Sequence, residues 1–176
     1  MDSKIYPQIA RKTLEDYLQS GKIITPDDLK VPEDLLQKKA GVFVSLHKRE
    51  GDQLRGCIGT FLPTKDNVAE EIIRNAISAA IGDPRFDPVT YEELPEIHIS
   101  VDVLSEPERC ESREELDPKK YGVIVSQDLR KGLLLPDLPD VNTVEYQLQI
   151  ACMKAGIDYE SGDFEIEKFL VERYSE

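Results

Sequence analysis

Few of the residue types that would assign this chain to a specialised class are present in useful number. It has three cysteines, Cys57, Cys110 and Cys152, an odd and widely separated set that excludes a disulfide framework as the basis of the fold. There are only two histidines, His47 and His98, and no paired cysteine spacing, so no structural zinc site is expected and nothing implies a cofactor. No apolar run approaches the roughly 18 residues of a membrane span. The start Met1-Asp2-Ser3-Lys4 lacks the hydrophobic core of a signal peptide. Positive charge is scarce as well: 22 Lys plus Arg stand against 35 Asp plus Glu, a formal charge of -13. Such a surface repels phosphate backbones, which argues against nucleic-acid binding. These absences predict a cytoplasmic protein that neither spans membranes nor binds nucleic acid.

What is present fits an ordinary globular protein. At 176 residues with 40% hydrophobic content, the chain can bury a sizeable core as a single domain, residues 1–176. A first helix is predicted from about Pro7 to Ser20, closed by Gly21, with a short helical turn near Leu35 and Leu36. Gly41 to Leu46 reads as a strand that returns through a polar turn into a second strand, making a hairpin. Thr64 is a plausible N-cap for a helix carrying Val68, Ile72, Ala76 and Ala80 on one face, stopped by Gly82. Ile97, Ile99, Val101 and Val103 alternate with polar residues, predicting a strand with one core face and one polar face. A capping box at Ser112 to Glu115 opens a brief turn. A second hairpin spans Gly122 to Leu135, a helix capped by Thr143 runs to about Ala155, and one last strand runs from about Ile166 to Tyr174.

The two hairpins align with each other. Gly41-Val42-Phe43-Val44-Ser45 matches Gly122-Val123-Ile124-Val125-Ser126 at an offset of 122 minus 41, or 81. The returning strands and helices match at 132 minus 56, or 76: Arg55 with Lys131, Gly56 with Gly132, Leu62 with Leu138, Pro63 with Pro139 and Val68 with Val144. The expected fold is therefore α+β, with internally duplicated hairpin, helix and strand units around antiparallel sheet, repeat one at about 41–105 and repeat two at about 121–174.

The stretch Gln53 to Phe61 stands out, because it places an arginine, a thiol and two glycines inside a strand. Glycine weakens a strand and marks a bulge or a close approach. Strict alternation would put Arg55, Cys57, Gly59 and Phe61 on one face. Leu135 stands at the Gly59 position in the second copy, so a gap beside Gly59 is expected. Cys57 has two readings: a nucleophile whose thiolate Arg55 favours, or a buried inert thiol. Leu133 at the equivalent position shows that plain core fits there. Arg55 could bind a small anionic ligand through its planar fork, or pair with an acid such as Asp83 or Asp87. Asp83, Arg85 and Asp87, in a loop bounded by prolines, could rim the motif or touch a partner; equally they could form a rigid turn. His98, Ser100 and Asp102 are not a triad, since residues two apart on a strand are spaced by about 6.5 Å and a triad needs hydrogen bonds of about 3 Å.

Leu54-Arg55-Gly56-Cys57-Ile58-Gly59-Thr60-Phe61, together with Asp83-Pro84-Arg85-Phe86, Ile99 to Leu104, Gly132 to Pro136 and Lys154-Ala155-Gly156-Ile157, closely resembles the AMMECR domain family. The resemblance spans nearly the whole chain. It implies an α+β fold with a larger and a smaller part. Prokaryotic members are similar to protein A of the AmmeMemoRadiSam system, encoded near a Memo-like protein and a radical S-adenosylmethionine protein, which are the partners the resemblance suggests. No catalytic activity is established for that family, so it implies a candidate site at Arg55, Gly56, Cys57 and Gly59 without a chemistry attached. An accessory protein that binds a partner or ligand, and an enzyme using Cys57, both remain open.

Overall fold

The computed structural model describes residues 4–176. In chain order the elements are α1 (Ile5–Ser20), α2 (Pro26–Leu29), α3 (Glu33–Gln37), β1 (Val42–Lys48), β2 (Leu54–Thr60), α4 (Val68–Ile81), β3 (Ile97–Leu104), β4 (Glu108–Arg109), β5 (Gly122–Gln127), β6 (Arg130–Leu134), α5 (Val144–Ala155), β7 (Glu165–Phe169) and β8 (Val171–Ser175). Short 3-10 turns fill Tyr91–Glu96, Arg113–Glu115 and Tyr159–Ser161. The fold is α+β, with two four-stranded sheets in two compact units.

The larger unit comprises the residues up to Val103 together with Glu172–Glu176. Its sheet runs β2-β1-β3-β8, with β1 antiparallel to both β2 and β3. Val42, Val44 and Leu46 of β1 and Ile97, Ile99, Val101 and Val103 of β3 are buried with Ile72, Ala76, Ala79 and Ala80 of α4 and Ile9, Ala10 and Leu14 of α1 in one core. Small residues let α4 approach the sheet closely. A Cβ placed on Gly56 would lie 2.2 Å from the Ala79 carbonyl oxygen, so strand and helix touch backbone to backbone.

Two expectations for this unit are corrected. The N-cap of α4 is Asn67, whose side chain accepts the Glu70 N–H, rather than Thr64. Thr64 serves another group: its N–H and hydroxyl both bond the Glu71 carboxylate, at 2.7 and 2.9 Å. Glu71 is fully buried and also accepts from the Thr60 hydroxyl and the Lys65 N–H. Burial pushes its carboxyl up, yet these donors outweigh burial and hold it below the usual range. The second correction concerns the polar face of β3. Ser100 and Asp102 are buried, and Asp102 takes a two-pronged ion pair from Arg173 of β8 at 2.7 and 2.8 Å. A fourth strand beside β3 is what the alternating pattern alone did not reveal.

The smaller unit, Leu104–Val171, has the sheet order β4-β7-β5-β6 with α5 packed on β5 and β6. Thr143 caps α5 by accepting the Tyr146 N–H, and Gly156 ends it in the left-handed region at φ 66. Gly132 repeats the arrangement of Gly56, since a Cβ there would lie 2.1 Å from the Ala151 carbonyl oxygen. The order hairpin, helix, strand is thus present in both units, and in each the strand after the helix pairs with the first hairpin strand. The terminal strand expected as one piece is two. β7 pairs with β5 and β4, Leu170 interrupts, and β8 joins the sheet of the larger unit.

Candidate functional site

β2 is an edge strand, so the outward N–H and C=O groups of its residues need partners other than a neighbouring strand. Its pairing with β1 slips at one point: Leu46 stands opposite Gly56 and His47 opposite Leu54, which leaves Arg55 as the extra residue of a bulge. A bulge re-aims the side chain it carries. The Arg55 guanidinium is taken up by the Glu93 carboxylate through two bonds of 3.0 Å, by the Asp87 carbonyl oxygen at 2.8 Å and by the Pro88 carbonyl oxygen at 3.4 Å. Its acid partner is therefore Glu93, not Asp83 or Asp87. Asp87 contributes its main chain. Pairing with Arg55 holds the Glu93 carboxyl below the usual carboxylate range, against its partial burial.

Two residues further on, the edge is closed by side chains. Asp83 lies almost fully buried, and its Oδ2 accepts the Cys57 N–H at 2.9 Å. Its Oδ1 accepts the Arg85 N–H at 3.1 Å and Nε–H at 2.9 Å, while an Arg85 terminal N–H bonds Oδ2 at 2.7 Å. The same guanidinium donates to the Cys57 carbonyl oxygen at 3.4 Å. Asp83 and Arg85 together thus meet both main-chain groups of Cys57, as a neighbouring strand would. Arg85 is the largest cause holding the Asp83 carboxyl far below the usual carboxylate range, helped by the Cys57 and Arg85 N–H groups. In return Asp83 raises the Arg85 guanidinium.

The Cys57 thiol is half-buried and stands opposite Ser45, whose hydroxyl donates to Sγ at 3.2 Å. None of the Arg55 donors reaches it. The gap expected beside Gly59 is filled: a Cβ there would lie 2.2 Å from Cγ of the Phe43 ring and 2.6 Å from the Val42 carbonyl oxygen. The glycine is required by the Phe43 ring across the strand pair and not by an open space. Gly56 is likewise accounted for by the close approach of α4.

The seven residues singled out in the sequence therefore divide. Arg55, Gly56, Gly59 and the Asp87 main chain engage partners within the larger unit, Asp83 is buried, and Arg85 and Cys57 reach the surface in whole or part. Glu93, Ser45 and Phe43 belong to the same constellation and were not foreseen. Glu93 carried a signal, because Thr90 and Glu93 form a capping box. Ser45 and Phe43 follow from the β1–β2 register. A recess of about 390 Å³ beside Arg55 is walled by Glu50, Glu92, Glu93 and Glu96, with Lys48 as its other cation. Four carboxylates against two cations, one of them already paired, make a poor receptor for an anion. Among the described residues, no three His, Cys, Asp or Glu side chains gather as a metal site would need.

Comparison with known proteins finds matches across nearly the whole chain. The sequence model described as AMMECR1 matches residues 7–175. A protein of Thermotoga maritima is 56% identical over 169 residues, covering 96% of each chain. A protein of Clostridium acetobutylicum is 57% identical over 171 residues; the match covers 97% of this chain but only 36% of that longer one. The crystal structure of an uncharacterized protein from Pyrococcus horikoshii superposes with a TM-score of 0.84 at 34% identity, covering 99% of this chain and 91% of that one.

Proposed function

The chain belongs to the AMMECR1 family, and on that premise we propose that it is an accessory protein whose working surface is the β2 edge with the loop at 83–87. The observation that carries this reading is the closure of that edge at Cys57 by Asp83 and Arg85. It produces a pre-organised surface, with the Arg85 guanidinium 55% exposed and Cys57 beside it, and a rigid surface is suited to docking another protein. Support for a partner comes also from the Clostridium relative, in which the matching segment is joined to a much longer chain. The partners suggested by the family resemblance are the Memo-like and radical S-adenosylmethionine proteins. A small anion held by Arg55 is the weaker form of the proposal, because that guanidinium already has its acid. A cytoplasmic setting belongs to the reading: all three cysteines are free, and no described helix is long and apolar enough to cross a membrane.

Calorimetry of the full chain with each of the two proteins tests it. Asp87→Lys reverses a charge on the loop while leaving the Asp83–Arg85 pair in place, and Arg85→Ala removes the exposed cation. Binding weakened at least ten-fold by either variant supports the surface; two variants that stay folded and bind as the wild type overturn it.

The second reading, an enzyme using Cys57 as nucleophile, is favoured by one observation, the partial exposure of a thiol that touches a hydroxyl. Its test is chemical. A Cys57 that resists alkylation in the folded protein up to alkaline pH removes it.

A further inference from the structure

The larger unit carries a second concavity, on its helical side. It is a groove of about 710 Å³ between the segment 23–36 and the outer stripe of α4. That volume lies within the range of small-molecule sites. Its apolar wall is Ile23, Ile24, Leu36, Ile73 and Ile77. Most of these help to cover the core, and Ile23, 62% exposed, carries the apolar wall out to the surface.

Four charged residues border the groove: Lys65, Arg74, Asp27 and Glu70. They are not equivalent. Glu70 is engaged by the Asn67 side-chain amide at 3.1 Å, whereas Asp27, in the first turn of α2, has no ion pair or side-chain hydrogen bond among the described residues. Neither the Lys65 ammonium nor the Arg74 guanidinium has an ion pair or side-chain hydrogen bond among the described residues. Two unpaired cations thus border one apolar groove, in a chain with formal charge -13 where most arginines engage carboxylates or carbonyls. Nor does Arg74 lie over an aromatic ring, as Arg85 and Arg113 do.

We propose that this groove binds a small amphipathic anion, with its apolar body along Ile23, Leu36, Ile73 and Ile77 and its carboxylate or phosphate head held by Lys65 and Arg74. Apolar area supplies the affinity, and the two cations choose the sign of the head group. A cationic amphiphile would find one free carboxylate, Asp27, against the two free cations Lys65 and Arg74. A neutral one would leave both cations unanswered. The site is separate from the β2 edge, so neither proposal depends on the other.

The test is a titration of the full chain followed by amide NMR shifts, with dodecanoate, dodecyl phosphate, dodecyl maltoside and inorganic phosphate as probes, each below its micelle concentration. Saturable shifts at Ile24, Leu36, Ile73 and Ile77 with dodecanoate or dodecyl phosphate, at least ten-fold tighter than with the maltoside, support the proposal. The tighter of the two heads then identifies carboxylate or phosphate as the natural one. Arg74→Glu and Ile23→Asp change exposed positions, so the fold is retained, and each is expected to weaken binding at least ten-fold. Equal binding of the maltoside, shifts scattered over the molecule, no saturable shifts with either anionic probe, or wild-type affinity in Arg74→Glu would overturn it.

Discussion

The Asp83 carboxylate accepts the main-chain N–H of Cys57 at 2.9 Å, and does so from a nearly fully buried position on a separate loop. The edge strand that carries Arg55 and Cys57 is therefore terminated by a side chain, with Arg85 completing the closure at the Cys57 carbonyl oxygen. Removing the carboxylate in Asp83→Ala leaves a main-chain donor and a guanidinium without their acceptor. The expected loss is about 1–3 kcal/mol, measured by chemical denaturation, with faster amide exchange at Cys57.

The same contact sets a pH dependence. The Asp83 carboxyl is depressed when folded, so its contribution to stability is complete above the ordinary carboxylate range of about 4 and is lost as pH falls from there toward the depressed value. Glu71 and Glu93 are depressed too and act with the same sign. Wild-type stability is expected to fall as pH drops below about 4. Asp83→Asn should flatten that slope, which denaturant midpoints across pH will show.

Gly56 and Gly132 are expected to tolerate no side chain. Each faces a helix carbonyl oxygen at close to 2 Å from where a Cβ would stand, 2.2 Å for Gly56 and 2.1 Å for Gly132. Gly56→Ala and Gly132→Ala should each cost about 1–3 kcal/mol through forced separation of helix and strand, visible as lowered thermal midpoints.

The three thiols should separate by accessibility. Burial raises the pKa of both Cys110 and Cys152, but of the three only Cys152 is fully buried, which puts its thiol out of reach of reagent. Native-state alkylation followed by mass spectrometry should find Cys57 and Cys110 modified and Cys152 modified only after denaturation.

Arg173 and Asp102 hold β8 against β3. Asp102 is buried while Arg173 remains largely exposed, so Arg173→Ala leaves a carboxylate without its two-pronged partner. The expected cost is about 1.5–3 kcal/mol, the scale of hydrogen bonds to a charged group. Amide exchange should rise along Val171–Ser175, with β7 unaffected.

Much of this could be read directly from residue order. Caps and breakers such as Thr143, Gly82 and Gly156 act locally, and the alternation in β1 and β3 reports a buried face whatever lies on the other side. The Gly56 and Gly132 correspondence was visible as a match between the two hairpin sequences, although its cause, a helix carbonyl against each glycine, was not. Arg55 is the clearest case of the opposite kind. Strict alternation placed it beside Cys57, but a one-residue bulge between Leu46 and His47 re-aimed it toward Glu93.

The order of residues alone determined the α+β class, the two hairpin, helix and strand units and the family, because these depend on local periodicity, capping and motif spacing. Tertiary structure decided what the motif faces. Phe43 fills the space over Gly59, Glu93 takes Arg55, Asp83 and Arg85 close the edge at Cys57, and β8 leaves its neighbour β7 to cover β3. Each joins residues distant in the chain through strand register, loop docking or burial, quantities that no window of sequence contains.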